Sequence, residues 1–148
     1  MENRRELFQL LPRSFGILNK NCCSIGNIEI SPIHSHILYE LDRQTNPSMQ
    51  QIADTLAIDI TTFSRQIQTL IKMDLVKKTP APSDKRSSIL SLTATGESVA
   101  QEIDQSMEAY LDEVFSHMND FEQETVVRSI QLLNEAIRKS SVCCTPPY

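Results

Sequence analysis

The stretch of sequence that decides the fold is residues 48–92, SMQQIADTLAIDITTFSRQIQTLIKMDLVKKTPAPSDKRSSILSL. It opens with Ser48 and, three positions on, Gln51, which is the spacing of a capping box at the start of a helix. Asp59 can cap a second helix after a short turn. The spacing of the apolar residues predicts that the buried side of this second helix consists of Phe63, Ile67, Leu70 and Ile71. The stretch therefore predicts two short helices joined by a tight turn.

A two-stranded hairpin is predicted to follow these helices. Lys77–Thr79 is short and extended, Pro80 and Pro82 indicate a turn, and Ser88–Leu92 returns as a strand. A ribbon this short is stable only when it packs on helices. We therefore expect the two helices and the hairpin to form one unit.

Upstream of this unit, two further segments have helical spacing. Ser31-Pro32 predicts a helix start, because Ser is a favourable cap and Pro is tolerated at the first helical position. Residues 4–20 also have helical spacing, which Pro12 interrupts. Residues 22–27 are interpreted as the end of that helix followed by a loop.

Downstream of the hairpin, two more helices are predicted. Thr93 is expected to cap a long one, and Asp120 with Gln123 is interpreted as the capping box of the last one. These helices and the first one carry long apolar stripes that a small module cannot cover, and exposed stripes would promote aggregation. We therefore expect a homodimer that buries them.

The second helix of the pair exposes side chains of the kind that contact base edges and phosphates. These candidate DNA-binding residues are Thr61, Thr62, Ser64, Arg65, Gln66, Gln68 and Thr69. At the hairpin tip, Lys85 or Arg86 is suited to the narrow minor groove, whose negative potential attracts Arg. Asp84 is expected to pair with Arg86 and so to hold the tip in shape. A solvated helix face and an ordinary charged turn are the alternative interpretations.

The distribution of charge favours a nucleic-acid partner although the net charge of the 148 residues is −5. Residues 60–90 contain six Lys or Arg and two Asp, whereas the rest of the chain contains 8 basic and 17 acidic residues. A basic face on an acidic body directs one surface toward phosphate.

Residues 31–96 resemble the MarR (multiple antibiotic resistance regulator) family of winged helix-turn-helix transcription regulators. The resemblance rests on an ordered set of segments: SPIHSHIL at 31–38, IADTL at 52–56, TTFSR at 61–65, LIKMDLV at 70–76, DKR at 84–86 and LSLTATG at 90–96. The family usually has Gly or a small polar residue where Asp74 stands, and Asp tolerates the left-handed conformation that such a turn needs. The hairpin reads Asp-Lys-Arg where Asp-Arg-Arg is commoner.

The resemblance implies a mainly α fold with a small two-stranded β-wing. Its winged helix-turn-helix module would be residues 31–93, between an N-terminal dimerisation helix and loop at 1–30 and C-terminal dimerisation helices with a Cys-containing tail at 94–148. It also implies that a homodimer binds a palindromic double-stranded DNA operator and represses transcription until a ligand or cysteine oxidation releases it. Arg86 lies at the position of the wing arginine and Asp84 at that of its partner. No cofactor is required.

Two adjacent cysteine pairs, Cys22-Cys23 and Cys143-Cys144, lie near opposite ends of the chain. Their spacing matches neither Cys-x-x-Cys nor a zinc finger. One interpretation is structural: small buried side chains and a loose tail. The other is a sensor in which intertwined terminal helices bring the pairs of two chains together, where they bind a soft metal or metalloid or form an intersubunit disulfide.

Two further sets of side chains bear on the effector. His34, His36 and His117 are candidates to complete a zinc site, although each is interpreted as a helix-face residue. A small aromatic acid is the third candidate effector, after a soft metal or metalloid and an oxidant. The family binds it between the dimer helices and the winged module, and Phe15, His34 and Tyr39 are weak candidates for its pocket.

Other classes of function find little support in the sequence. There is no phosphate-binding loop, no His-Glu-x-x-His and no Gly-x-Ser-x-Gly, so an enzyme is not expected. No apolar run reaches the ~18 residues of a membrane span and the N-terminus does not resemble a secretory signal, which predicts a cytoplasmic protein with no membrane partner. The alternative to DNA binding is a winged helix that binds a protein. Its recognition face would be apolar or acidic, whereas this one is polar and contains Arg65.

Overall fold

The computed structural model describes residues 4–15 and 23–140. The helices in these residues are α1 (Arg4–Ser14), α2 (Pro32–Arg43), α3 (Met49–Thr55), α4 (Ile60–Lys72), α5 (Ala94–Ser116) and α6 (Asp120–Lys139). The strands are β1 (Cys23–Ile25), β2 (Ile28–Ile30), β3 (Val76–Pro80) and β4 (Ser88–Leu92). The predicted fold class, mainly helical with a small two-stranded wing, is confirmed.

The chain divides into two compact units, Met1–Asp104 and Gln105–Tyr148. Helix α5 begins in the first unit and continues into the second. The domain boundaries drawn from the sequence, at 30/31 and 93/94, remain a proposal.

Two of the predicted helix starts depend on hydroxyl caps. The N–H of His34 donates to Ser31 Oγ at 3.3 Å, and Pro32 occupies the first position of α2. The N–H of Gly96 donates to Thr93 Oγ1 at 2.9 Å at the start of α5. Both caps are confirmed, and each satisfies a backbone donor that the first turn of a helix leaves without an intrahelical partner.

The start of α6 differs from the prediction by one residue. Asn119, rather than Asp120, is the cap: its Oδ1 accepts from the N–H of Glu122 at 3.0 Å, and Glu122 Oε2 accepts from the N–H of Asn119 at 2.9 Å. Gln123 instead donates through Nε2 to two carbonyl groups near the end of α5, both at 3.0 Å. The prediction of an Asp120–Gln123 capping box is therefore wrong. Asn119 and Glu122 have the same spacing and form the capping box instead.

A small hairpin replaces most of the loop predicted at residues 22–27. Strands β1 and β2 pair antiparallel, with Ile25 opposite Ile28, and Gly26 between them has a φ of 57°. Glycine is favoured at the first position of such a two-residue turn because it adopts positive φ without a Cβ clash. This sheet contributes to the core: Ile30 is fully buried, and Ile25 and Ile28 are partly buried and pack against the core cluster.

The core lies in the first unit and joins α2, α3, α4, both strands of the wing and the first turns of α5. Its largest fully buried side chains are Phe63, Ile30, Ile37, Leu38, Ile52, Ile67, Leu70, Leu75 and Leu90. Ile71, which the spacing also predicts to be buried, is 38% exposed. At 100° per residue it lies roughly 70° from the centre of the stripe formed by Phe63, Ile67 and Leu70, so it falls at the stripe's edge.

Two helices of this single chain leave their apolar side chains in solvent. Neither α1 nor α6 contains a buried residue. On α1, Leu7 and Phe8 are exposed, and on α6 Phe121 is 78% exposed, with Ile130 and Leu132 also exposed. None of the helices in the described residues combines the length and the apolar character that a membrane crossing requires.

Candidate nucleic-acid interface

The helix-turn-helix is built by α3, a four-residue turn and α4. The capping box predicted for α3 is present: the N–H of Gln51 donates to Ser48 Oγ at 3.1 Å, and the N–H of Ser48 donates to Gln51 Oε1 at 2.8 Å. In the turn, Ala57 has a φ of 53°, and the N–H of Ile58 donates to the carbonyl of Ala53 at 2.9 Å. The turn is therefore closed by backbone hydrogen bonds around one residue in the left-handed region.

Asp59 caps α4, as the sequence predicts. Its Oδ1 accepts from the N–H of Thr62 at 2.9 Å. Hydrogen bonds from the Thr62 side chain and backbone lower the pKa of Asp59 below its ordinary value, because they stabilise the carboxylate. A negative charge at this end also complements the helix dipole.

The outward face of α4 carries most of the predicted DNA-binding side chains. Exposed on it are Thr61, Thr62, Arg65, Gln68 and Thr69. The opposite face is buried at Phe63, Ile67 and Leu70. Among the described residues, no carboxylate lies within ion-pair distance of the guanidinium of Arg65. The helix therefore presents hydroxyl, amide and guanidinium groups to solvent.

Two of the predicted residues sit differently. Ser64 and Gln66 are half-buried rather than exposed. The Gln66 Oε1 atom lies 2.8 Å from Nε2 of His34 on α2. His34 itself is 8% exposed, so its interpretation as a helix-face residue is wrong: it faces inward from the first turn of α2. Burial lowers the pKa of His34, while the hydrogen bond to Gln66 acts in the opposite direction.

The wing is a regular antiparallel hairpin with a fixed tip. Its strands pair from Val76 opposite Leu92 to Pro80 opposite Ser88. At the tip, Oδ1 of Asp84 accepts from the backbone N–H of Arg86 at 2.9 Å. The expected pairing of Asp84 with the Arg86 side chain is therefore replaced by a contact with its backbone. The tip is shaped by this bond, and the side chains of Lys85 and Arg86 remain exposed.

Hydrogen bonds tie the wing to the helices on both sides. The N–H of Leu90 donates to the carbonyl of Pro47 at 2.9 Å, just before α3. At the other end, Thr93 donates to Leu75 O through its N–H at 3.0 Å and to Asp74 O through Oγ1 at 2.6 Å. Asp74 has a φ of 58°, the left-handed conformation expected at this position from the family resemblance.

A contact between α2 and α5 was not predicted. Arg43 Nη2 lies 2.8 Å from Asp104 Oδ2, and the guanidinium carbon lies 3.4 Å from the centre of the Tyr39 ring. The hydrogen bond to Asp104 raises the pKa of Arg43. The stacking on Tyr39 follows from the i, i+4 spacing along α2, whereas the approach of Asp104 spans 61 residues and has no local signal.

The predicted sensor cysteines fall at the margins of the described chain. Cys22, Cys143 and Cys144 lie outside the described residues, and Cys23 is described only as the first residue of β1. In residues 4–15 and 23–140, no group of three His, Cys, Asp or Glu side chains is placed to hold a metal ion. His117 is exposed directly after the end of α5, with Nε2 3.1 Å from Glu113 Oε1, and it is far in sequence from exposed His36 on α2.

Sequence comparisons agree with this geometry. The sequence model of the MarR family matches residues 30–88. The chain is also similar to the uncharacterized HTH-type transcriptional regulator YxaD of Bacillus subtilis (strain 168), with 26% identity over 111 residues, 75% of this chain and 76% of that protein.

Solved structures show the same fold. Streptococcus pneumoniae FabT in complex with DNA matches with a TM-score of 0.78 at 15% identity, over 90% of this chain and 94% of FabT. The S. aureus MepR–DNA complex matches with a TM-score of 0.77 at 15% identity, over 93% and 99% of the two chains. The transcriptional repressor CouR bound to a 23-mer duplex matches with a TM-score of 0.74 at 21% identity, over 87% and 89%.

The family match and the fold agree, and the segments that carry the resemblance fall within or beside the matched residues. The prediction that the chain is not an enzyme is confirmed by these matches, which are with transcription regulators. Residues 30–88 thus match the sequence model of the MarR family, and the chain has the winged helix-turn-helix fold of the solved FabT and MepR structures.

Proposed function

We propose that this protein binds a double-stranded DNA operator as a homodimer and represses transcription in the cytoplasm. The observation that carries the proposal is the outward face of α4, which has five exposed hydrogen-bonding side chains, including Arg65, and no acidic one between Ile60 and Lys72. A helix that enters the major groove needs such a face. The DNA in the FabT and MepR complexes supports the proposal by analogy of fold.

Each element of the module then has a distinct role. Helix α4 lies in the major groove, where Arg65 is suited to pair with the O6 and N7 atoms of guanine. Thr61, Thr62 and Gln68 contact base edges or phosphates, and Thr69, whose Oγ1 donates to the carbonyl of Arg65 at 3.2 Å, is partly engaged within the helix. Ser64 and Gln66, being half-buried, contribute at the margin of this surface.

The wing reaches the neighbouring minor groove. Lys85 and Arg86 are exposed at its tip, while Asp84 is turned to the backbone of Arg86 and holds the turn. The narrow minor groove attracts Arg through its negative potential. The exposed Lys77 and Lys78 on β3 add positive charge beside the tip.

Dimerisation explains the apolar side chains that α1 and α6 leave in solvent. A two-fold dimer would bury them and place two α4 helices roughly 34–36 Å apart, one turn of DNA, so that they meet the half-sites of a palindrome. The proposal therefore requires residues of both the N-terminal and C-terminal helices at the dimer interface.

Release from DNA is proposed to follow a signal at the cysteine pairs. Cys22, Cys23, Cys143 and Cys144 would bind a soft metal or metalloid, or would be oxidised, when the terminal helices of two chains bring them together. A small aromatic acid is the alternative effector. A variant with all four Cys changed to Ser separates these cases: it should stay on DNA when arsenite or hydroperoxide is added, but still be released by salicylate if an aromatic acid is the trigger.

The second candidate function is a winged helix that binds a protein instead of DNA. Arg65→Ala and Arg86→Ala separate the two, with Arg138→Ala on α6 as a matched control outside the module. Fluorescence anisotropy with labelled duplexes should show weaker binding for the first two variants and unchanged binding for the control. Light scattering should show the same oligomer for all four proteins. Equal binding by wild type, Arg65→Ala and Arg86→Ala would count against DNA recognition by this surface.

A further inference from the structure

The first unit buries one polar side chain among its apolar core. Among the described residues, His34 is the one polar or charged residue in the buried set, at 8% exposed. Its backbone is fixed by the Ser31 cap at the start of α2, and its ring points to α4. A buried polar group is tolerated when it is hydrogen-bonded, and the partner here is the side chain of Gln66.

The bond between His34 and Gln66 has a defined direction. The Oε1 atom of an amide is an acceptor, so Nε2 of His34 is the donor across the 2.8 Å separation. Burial lowers the pKa of His34 from 6.5, which keeps the ring neutral at neutral pH with its proton on Nε2. No buried side-chain nitrogen or oxygen in the described residues lacks a partner, so the contact satisfies what burial of the ring requires.

This bond also limits the hydrogen bonds that Gln66 can make to a DNA base. Reading adenine with Gln needs the amide carbonyl as an acceptor and the amide nitrogen as a donor. In Gln66 one of the two acceptor sites of the carbonyl oxygen is used by His34, and that bond directs the amide toward α2. The half-buried side chain is therefore an anchor between two helices, in contrast to the exposed Arg65 and Gln68 beside it.

The hydrogen bond between His34 and Gln66 restricts the rotation of α4, which apolar packing alone does not fix. Phe63, Ile67 and Leu70 hold α4 on the core through contacts that have no preferred direction. A hydrogen bond depends steeply on distance and angle. The bond from His34 on α2 to Gln66 thus resists rotation of α4 about its own axis. That rotation determines which side chains of α4 face the base edges.

We propose that His34 is a positioning residue for DNA binding: by holding Gln66 it fixes the face that α4 presents to the major groove. The proposal rests on the proposed function, since it assigns a role within the same DNA-binding surface. His34 acts through Gln66 and does not touch DNA.

The test uses full-length protein and a duplex that the wild type selects from random-sequence DNA. Affinity is measured by anisotropy for that duplex and for a set of single-base-pair substitutions, well below the melting temperature of every variant. His34→Leu removes the donor, His34→Gln keeps one, and Gln66→Leu removes the acceptor. We expect His34→Leu and Gln66→Leu each to weaken binding about fivefold to tenfold, the effect of one lost hydrogen bond, and to flatten the preference among the substituted duplexes.

Two further comparisons identify the route. The double variant should bind no more weakly than either single one, because both remove the same bond, and His34→Gln should restore most of the affinity and the base preference. If His34→Leu melts at a lower temperature but keeps wild-type affinity and preference, His34 is merely structural and the proposal fails. If Gln66→Leu loses preference at one base pair and His34→Leu does not, Gln66 reads that base itself and the proposal also fails. Failure of the wild type to bind any selected duplex would instead remove the proposed function, and this inference with it.

Discussion

The junction between α4, the wing and α5 should be intolerant of a single added methyl group at Gly96. A Cβ built on Gly96 would lie 1.9 Å from the backbone oxygen of Leu75, whereas real Cβ atoms essentially never approach within 3.0 Å. The first turn of α5 would have to move by about 1 Å to accommodate it. That movement would stretch the hydrogen bonds by which Thr93 holds Leu75 O at 3.0 Å and Asp74 O at 2.6 Å.

The magnitude follows from these opposing effects. Overpacking costs about 1–3 kcal/mol and a lost hydrogen bond about 0.5–1.5 kcal/mol, while replacing Gly by Ala in a helix returns at most about 1 kcal/mol. Gly96→Ala should therefore lower the free energy of unfolding by about 2 kcal/mol, or the melting temperature by roughly 4–8 °C for a chain of this size.

Differential scanning calorimetry at one fixed protein concentration measures this change, since the stability of the proposed dimer would depend on concentration. Ser98→Ala, an exposed substitution on the same helix, is the matched control and should leave the melting temperature within about 1–2 °C of wild type. A Gly96→Ala protein that melts with the control, or above it, would refute the close approach of α5 to Leu75.

Three further predictions concern the turn, the cap and the wing. Ala57→Gly should raise the free energy of unfolding by about 1 kcal/mol in urea denaturation, because Ala57 has a φ of 53° and the left-handed conformation is costly for residues with a Cβ; no gain would contradict that backbone. Asp59 has a pKa lowered by its bonds to Thr62, so its stabilisation is present above the unfolded pKa of 3.8 and is lost as the pH falls through the folded value. Asp59→Asn keeps a cap but should lack this loss in denaturation series from about pH 5 to pH 3, and identical series for the two proteins would contradict the cap. Lys85→Ala should weaken binding across all duplexes and reduce the slope of log affinity against log salt by about one, as for a lost phosphate contact; an unchanged slope would remove the wing tip from the interface.

The parts of the fold that the sequence predicts are those with a local cause. Ser31, Ser48, Asp59 and Thr93 cap helices because a short side chain reaches a backbone N–H within the next three residues, so the pattern is readable without knowledge of the rest of the chain. The left-handed conformation of Asp74 was instead expected from the family resemblance, and Asp tolerates it.

Each wrong prediction about the fold also has an identifiable physical cause. At the start of α6, Asn119 with Glu122 and Asp120 with Gln123 fit one pattern, and the sequence alone does not rank them. The hairpin at residues 23–30 has strands of three residues each, too short to show an alternation. The exposure of Ile71 depends on where the edge of a buried stripe falls, which packing decides.

The part of the site that escaped the sequence depends on distant residues. His34 and Gln66 are 32 positions apart, and nothing in either helix alone marks one as the partner of the other. For the same reason Gln66 looks like any other polar residue of α4 until its hydrogen bond to His34 is known. The exposure of Thr61, Thr62, Arg65, Gln68 and Thr69 was predictable from periodicity, whereas the half-burial of Ser64 and Gln66 became apparent only with the fold.

DNA recognition by α4 is tested by selection of bound duplexes from random-sequence DNA by the wild-type protein, with Arg65→Ala selected in parallel. We expect enrichment of an inverted repeat whose half-site centres are about one helical turn, 10–10.5 base pairs, apart, and loss of preference at a guanine in each half-site for Arg65→Ala. A pool that stays random after repeated rounds, or the same enriched sequence from both proteins, would contradict recognition of DNA by the outward face of α4.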